Sequence, residues 1–171
     1  MTSSLVGSEM CIRDRYGTAF VKNGYVGRTF IKPKQSSRES SVRVKLNVLR
    51  EAVEGKRVIM IDDSIVRGTT SDRIVHMLRE AGAKEVHMRV SSPPFLWPCY
   101  FGTDVPAREQ LIAYNRTVEE IRQVIGADSL GYLDCSRLRQ MAGDLPICTG
   151  CFTGNYPLDP PMEDIRGEFE Q

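Results

Sequence analysis

At 171 residues, 41% apolar and 26% charged, the chain has the length and balance of one globular domain able to bury a core. That excludes a wholly disordered tail, a collagen-like repeat and a coiled coil. No run approaches the roughly 18 apolar residues that a membrane span needs, and 23 basic residues against 22 acidic ones leave no global signal for a nucleic acid or other polyanion. Five cysteines, an odd number with no secretory signal, point to a reducing, cytoplasmic setting and to thiols with a use other than disulfides.

Residues 1–15, MTSSLVGSEMCIRDR, show neither helical nor strand periodicity and no apolar signal-peptide core. SLVGSEMCIRDR resembles a peptide that arises when adapter DNA is translated with a gene fragment. Residues 1–15 are therefore expected to be a non-native leader, and Cys11 is set aside with them. From Tyr16 the sequence acquires pattern. Ala19 to Val26 reads as the end of a strand, and Gly27 to Ser41, polar with Pro33 and four serines, as a mobile loop. Val42, Leu46, Leu49 and Val53 recur at i, i+4, i+7 and i+11, which predicts a helix ended by Gly55.

Arg57 to Asp62, RVIMID, is a short apolar run expected to be a buried strand of a parallel sheet. Thr70 or Ser71 can cap a following helix that carries Ile74, Val75 and Leu78 and stops at Gly82. Glu85 to Ser91 is the next strand. Strand, helix and strand over this distance predict an α/β fold, a parallel sheet flanked by helices. Beyond a proline-broken loop, SSPPFLWP, Ala107 to Tyr114 suggests a short helix. Thr117 and Glu120 form a capping box for a helix bearing Val118, Ile121, Val124 and Ile125. Ser129 to Leu133 reads as a strand and Ser136 to Ala142 as a helix, and from Gly143 onward no regular structure is expected. His76 and His87 are assigned structural roles.

The stretch with chemical content is VIMIDDSIVRGTTS, Val58 to Ser71. An apolar strand delivers two carboxylates, Asp62 and Asp63, to its C-terminal end, where open α/β sheets bind ligands. A short turn with Val66, Arg67, Gly68, Thr69 and Thr70 then opens into a helix, whose first amides and dipole attract a phosphate. Paired carboxylates suit vicinal hydroxyls or a hydrated Mg²⁺. A sugar phosphate such as ribose 5-phosphate satisfies both halves. The Walker pattern GxxxxGK[ST] is absent. Lys22 to Arg57 holds ten basic residues against three acidic ones, a local +7 that suits a lid over a polyphosphate.

This string resembles the phosphoribosyl-diphosphate (PRPP) loop of type I phosphoribosyltransferases. With KNGYVGRTFIKPKQ, REAGAKEVH, EEIRQVIGADSLGYL and CFTGNYP, the chain resembles the amidophosphoribosyltransferase family over roughly residues 16 to 158. The resemblance implies an N-terminally truncated type I phosphoribosyltransferase fold over 16–158, followed by an acidic tail over 159–171. It implies the first step of de novo purine synthesis: PRPP, glutamine and water give 5-phosphoribosylamine, pyrophosphate and glutamate. It further implies that Asp62 and Asp63 bind Mg²⁺ and the ribose hydroxyls, that Val66 to Thr70 hold the 5-phosphate, and that Lys22 and Arg28 contact the substrate from the lid. Gly24 departs from the family, which carries an arginine there.

One branch of the family holds a 4Fe–4S cluster through cysteines matching Cys99, Cys148 and Cys151, with a fourth ligand upstream. Read without the family, C-x-x-C at 148–151 stays open among zinc, redox and iron–sulfur uses and buried thiols. The family's glutaminase nucleophile and its domain have no counterpart in these residues, so glutamine or ammonia would arrive through another domain. A homo-oligomer is expected when full length. A non-catalytic PRPP-sensing regulator and a salvage phosphoribosyltransferase share the loop. Lack of a helix-turn-helix or RNA-binding motif weighs against the first, and CFTGNYP with the C-x-x-C against the second.

Overall fold

A computed structural model describes residues 17–22, 46–102 and 107–159. In chain order it contains β1 (Phe20–Lys22), β2 (Leu46–Val48), α1 (Arg50–Val53), β3 (Arg57–Asp62), α2 (Thr69–Glu80), β4 (Glu85–Val90), a 3₁₀ turn (Arg108–Gln110), α3 (Val118–Val124), β5 (Ser129–Tyr132), α4 (Cys135–Ala142) and α5 (Gly150–Thr153). Strands β3, β4 and β5 form a parallel sheet in that order, with Asp62 level with Val90 and Val90 level with Tyr132. The carboxyl ends of all three strands therefore reach one rim. Strands β1 and β2 pair antiparallel as a separate ribbon. No helix among the described residues is long and apolar enough to cross a membrane.

Alternation along β4 shows how sequence becomes a layer. Val86, Met88 and Val90 are buried on one face, while Glu85, His87 and Arg89 take the other. The buried face meets Ile74, Val75 and Leu78 of α2, and Ile121 and Ile125 at α3, in one cluster that also takes in Ile65, Ile112 and Val53. Each fully buried aliphatic side chain contributes about 1.5–3 kcal/mol. Asp128 fastens the layers. One of its oxygens accepts from Val86 N–H at 2.6 Å and from Arg79 Nη2 at 2.7 Å, joining β4, α2 and the turn into β5.

The strands over 57–62, 85–90 and 129–132 lie where the alternation and apolar runs place them, and the Thr117–Glu120 capping box forms on α3. Strand β3 is not the buried strand expected: Arg57, Ile59 and Ile61 are exposed and no residue of it is fully buried, because one face of the sheet is left uncovered. Four further expectations are corrected. The helix expected over 42–53 is β2 followed by the single turn α1, with Val42 outside the described residues. Leu46 and Val48 flank an exposed Asn47, a period of two that the i, i+4 pattern also fits in part, and pairing with Phe20–Lys22 decides for the strand. The 3₁₀ turn replaces the helix expected over 107–114, because Ile112 N–H is taken by Val66 C=O at 2.8 Å rather than by its own turn. Helix α2 starts at Thr69 with Gly68 in the N-cap position, so neither Thr70 nor Ser71 caps it. Finally, residues 150–153, expected to be irregular, form α5. Of the strand expected over 19–26, residues 20–22 are β1. Ala19 precedes it without regular structure; residues 23–26, the loop expected over 27–41 with the rest of the 22–57 lid up to residue 45, the leader and the tail from residue 160 lie outside the described residues.

A second, smaller assembly sits beyond the rim. The loop after β4 lies against α5 through Phe95 and Phe152, edge to face with centroids 5.0 Å apart. Leu96 and Trp97 donate backbone N–H groups to Cys151 C=O at 2.9 and 3.0 Å, and Tyr156 Oη donates to Pro98 C=O at 2.6 Å. Arg108 stacks over Trp97, 3.4 Å from the ring centroid, and so ties this assembly to the 107–114 segment.

Candidate functional site

Strand β3 ends at Asp62, and the rim is held there by Ser91, whose N–H and Oγ both donate to Asp62 C=O at 3.0 and 3.2 Å. The Asp62 carboxylate is half-buried and Asp63 is exposed. Asp63 N–H donates to Asp62 Oδ1 at 3.0 Å, and Ser64 Oγ to Asp63 Oδ1 at 3.3 Å. Burial pushes the Asp62 carboxyl above the ordinary carboxylate value; the Asp63 N–H works against this and the charge of Asp63 adds to it. Two adjacent carboxylates, one of them partly desolvated, are short of positive charge, and a divalent cation or hydroxyl donors would supply it.

After Asp63 the chain turns through Ile65, fully buried, and reaches Gly68 with φ +81°. A side chain here would be strained, and its Cβ would collide with Ile112 Cδ1. The turn is thus pinned from beneath by Ile112 and by the Ile112 N–H bond to Val66 C=O. Helix α2 makes its first amide bond from Asp72 N–H to Gly68 C=O at 2.9 Å, and no side chain caps its start. The amides of Thr69, Thr70 and Ser71 therefore open onto the same rim as Asp62 and Asp63. Ser71 is buried, while Thr69 is exposed and Thr70 half-buried. Chemically, such an arrangement can accept an anion and a polyol side by side.

Arg67 is placed differently from its neighbours. Its Nε and Nη2 both donate to Gln110 Oε1, at 3.2 and 2.9 Å, so the guanidinium lies towards the 3₁₀ turn. Gln110, Ile112 and Ser91 all support the turn, and sequence reasoning missed each of them. Ser91, Gln110 and Ile112 stand 29, 43 and 46 residues along the chain from the residues they hold, Asp62, Arg67 and Val66, with no local signal. Lys22 lies in β1, and Arg28 falls outside the described residues.

The cysteines lie in the segments that follow the strands. Cys148 and Cys151 bracket the start of α5, Cys99 follows the loop stitched to Cys151 C=O, and Gly150 N–H lies 3.5 Å from Cys148 Sγ. All four described cysteines, Cys135 included, are thiols. Burial pushes the Cys151 thiol up to about 11, with the charges of Cys99, Cys148 and Cys135 adding to it. Among the described residues, no three His, Cys, Asp or Glu side chains come together closely enough to hold a single metal ion. The thiols are the right donors for an iron–sulfur group, which spaces its ligands more widely than one ion does.

No protein-family model matches the chain. It is 56% identical over 155 residues to an amidophosphoribosyltransferase of Archaeoglobus fulgidus, covering 88% of this chain and 34% of the relative. An amidophosphoribosyltransferase of Bacillus subtilis is 55% identical over 150 residues, covering 84% of this chain and 32% of the relative. Among solved structures, the glutamine PRPP amidotransferase of B. subtilis complexed with ADP and GMP superposes with a TM-score of 0.75 at 51% identity, covering 92% of this chain and 36% of that one. The chain thus spans about a third of the length of these relatives. Over the described residues, the expected parallel-sheet architecture is that of these structures, the type I phosphoribosyltransferase fold.

Proposed function

We propose that this chain, a homologue over most of its length of the amidophosphoribosyltransferases, is the PRPP-binding part of an enzyme that makes 5-phosphoribosylamine from PRPP and glutamine in de novo purine synthesis. One observation carries the reading: the Asp62–Asp63 pair stands beside a helix start whose amides are left open by the buried turn at Gly68. The amides of Thr69 to Ser71 and the hydroxyls of Thr69 and Thr70 hold the 5-phosphate. Asp62 and Asp63 accept hydrogen bonds from the ribose hydroxyls and fix the sugar. The oxygen donors of this pair suit Mg²⁺, which when bound neutralises charge on the diphosphate.

Loss of pyrophosphate builds positive charge at C1 of the sugar. The carboxylates, already in place and partly shielded from water, stabilise that charge without reorganising. Lys22 and Arg28 serve as cationic contacts of the leaving group. Cys99, Cys148 and Cys151 ligate a 4Fe–4S cluster, which would bind the loop after β4 to α5. Glutamine chemistry is assigned to parts of the relatives outside the matched third, and the whole protein to a cytoplasmic homo-oligomer working without nucleic acid or membrane.

The test is calorimetric titration of the chain with PRPP in the presence of Mg²⁺. Asp62→Asn combined with Asp63→Asn should abolish the binding heat while far-UV circular dichroism is retained. Unchanged affinity in the double variant would sink the proposal.

A further inference from the structure

Three consecutive residues of the turn before α2 are held from one short stretch of chain. Val66 C=O accepts from Ile112 N–H at 2.8 Å, and Gln110 Oε1 accepts from both Nε and Nη2 of Arg67, at 3.2 and 2.9 Å. Gly68 rests on the Ile112 side chain, which fills the space a Cβ there would need. The stretch that makes these contacts is itself fixed. Gln110 closes the 3₁₀ turn, its N–H donating to Ala107 C=O at 3.2 Å, and Leu111, Ile112 and Ala113 after it are buried. Ahead of it, Arg108 Nε donates to Leu96 C=O at 2.8 Å, and the guanidinium lies over the Trp97 and Tyr114 rings, 3.4 and 4.9 Å from their centroids. The exposed Gln110 side chain is therefore presented from a rigid base.

Arg67 is half-buried, and its planar guanidinium meets Gln110 with two N–H groups. Two bonds from a rigid fork fix an orientation as well as a distance. Helix α2 begins two residues later with no side-chain cap. A change of backbone angle at Arg67 would turn Gly68, and with it the amides of Thr69, Thr70 and Ser71. Those amides bind an anion well only while they converge on one point.

We propose that Gln110 is a positioning residue of the anion seat: acting through Arg67, it fixes the turn so that the open amides of α2 converge on a single phosphate. The proposal rests on the reading of this seat as the 5-phosphate site of PRPP, and it adds the side chain that sets the seat's shape.

Calorimetric titration of the full chain with PRPP and Mg²⁺ tests it. Gln110→Ala should weaken binding about three- to tenfold, as expected for one lost hydrogen-bonded contact, with a thermal midpoint within about 2 °C of the unaltered chain. Gln110→Glu keeps an acceptor oxygen at the same reach and should restore the affinity. In an Arg67→Ala background, Gln110→Ala should bring no further loss. Full affinity in Gln110→Ala, or a loss that Gln110→Glu shares, overturns the positioning role and leaves the PRPP reading standing. Absence of binding by the unaltered chain overturns that reading, and the positioning role with it. A second measurement needs no ligand. Amide hydrogen exchange in peptides spanning residues 66–72 should speed up in Gln110→Ala and return towards the original rate in Gln110→Glu. Unchanged exchange in Gln110→Ala overturns the role whatever the affinity does.

Discussion

Gly68 carries the strictest local demand in the molecule. Its φ of +81° disfavours any L side chain, and the space a Cβ would need is filled by Ile112. Gly68→Ala should therefore cost about 2–4 kcal/mol, adding a positive-φ penalty to an overpacking term. Urea unfolding measures this. Ile112→Ala added to Gly68→Ala should recover the overpacking part, although Ile112→Ala destabilises by itself. Strict additivity of the two changes would show that the residues do not meet. Asp62, Asp63 and the open helix start are legible in a dozen consecutive residues because strand, turn and helix follow directly there. Ser91, Gln110 and Ile112, which hold that turn in shape, are not legible. Each acts through a backbone or side-chain bond to a residue far away in sequence, which no periodicity reports.

Among the elements, Asp128 shows how one carboxylate joins a strand, a helix and a turn. The Val86 N–H, followed by Arg79, holds its carboxyl below the ordinary value of 3.8. A depressed carboxylate adds stability above the unfolded-state value and loses it as pH falls through the folded-state value. Asp128→Asn should thus lower stability by about 1 kcal/mol at neutral pH, a modest figure because the group is partly exposed. The gap from the unaltered chain should close as pH drops below 3.8. A gap that persists at pH 2 would mean that charge is not the cause. The element assignments that succeeded, β3 to β5 and α3, rest on strong local signals: apolar runs, alternation and a capping box. Those that failed, at 42–53 and 107–114, sit where a partner far along the chain claims the backbone. There Phe20–Lys22 pairs with β2, and Val66 takes the Ile112 amide.

Over the whole molecule, the sheet is covered unevenly. One face packs against α2 and α3. The other carries Ile59 and Ile61, each 58% exposed, beside a polar ladder. In that ladder Arg57 Nε meets Glu85 Oε2 at 2.7 Å, and the His87 ring lies between Glu85 and Ser129. Parallel sheets usually bury both faces, so this chain should bind an apolar fluorescent dye. Ile59→Thr with Ile61→Thr should remove most of that signal and shift unfolding free energy by less than about 1 kcal/mol. Dye binding that ignores both residues would place the exposed apolar surface elsewhere.

By itself, the sequence determined the three parallel strands, the helices between them and the strand–carboxylate–turn–helix unit. Each is written in neighbouring residues, and local propensity agrees with the global fold. Only the tertiary structure decided that Ile112 shapes the turn before α2, that residues 46–48 form a strand, and that the loop after β4 is stitched to α5. Those outcomes depend on contacts closed across tens of residues, where pairing and packing outweigh the local pattern.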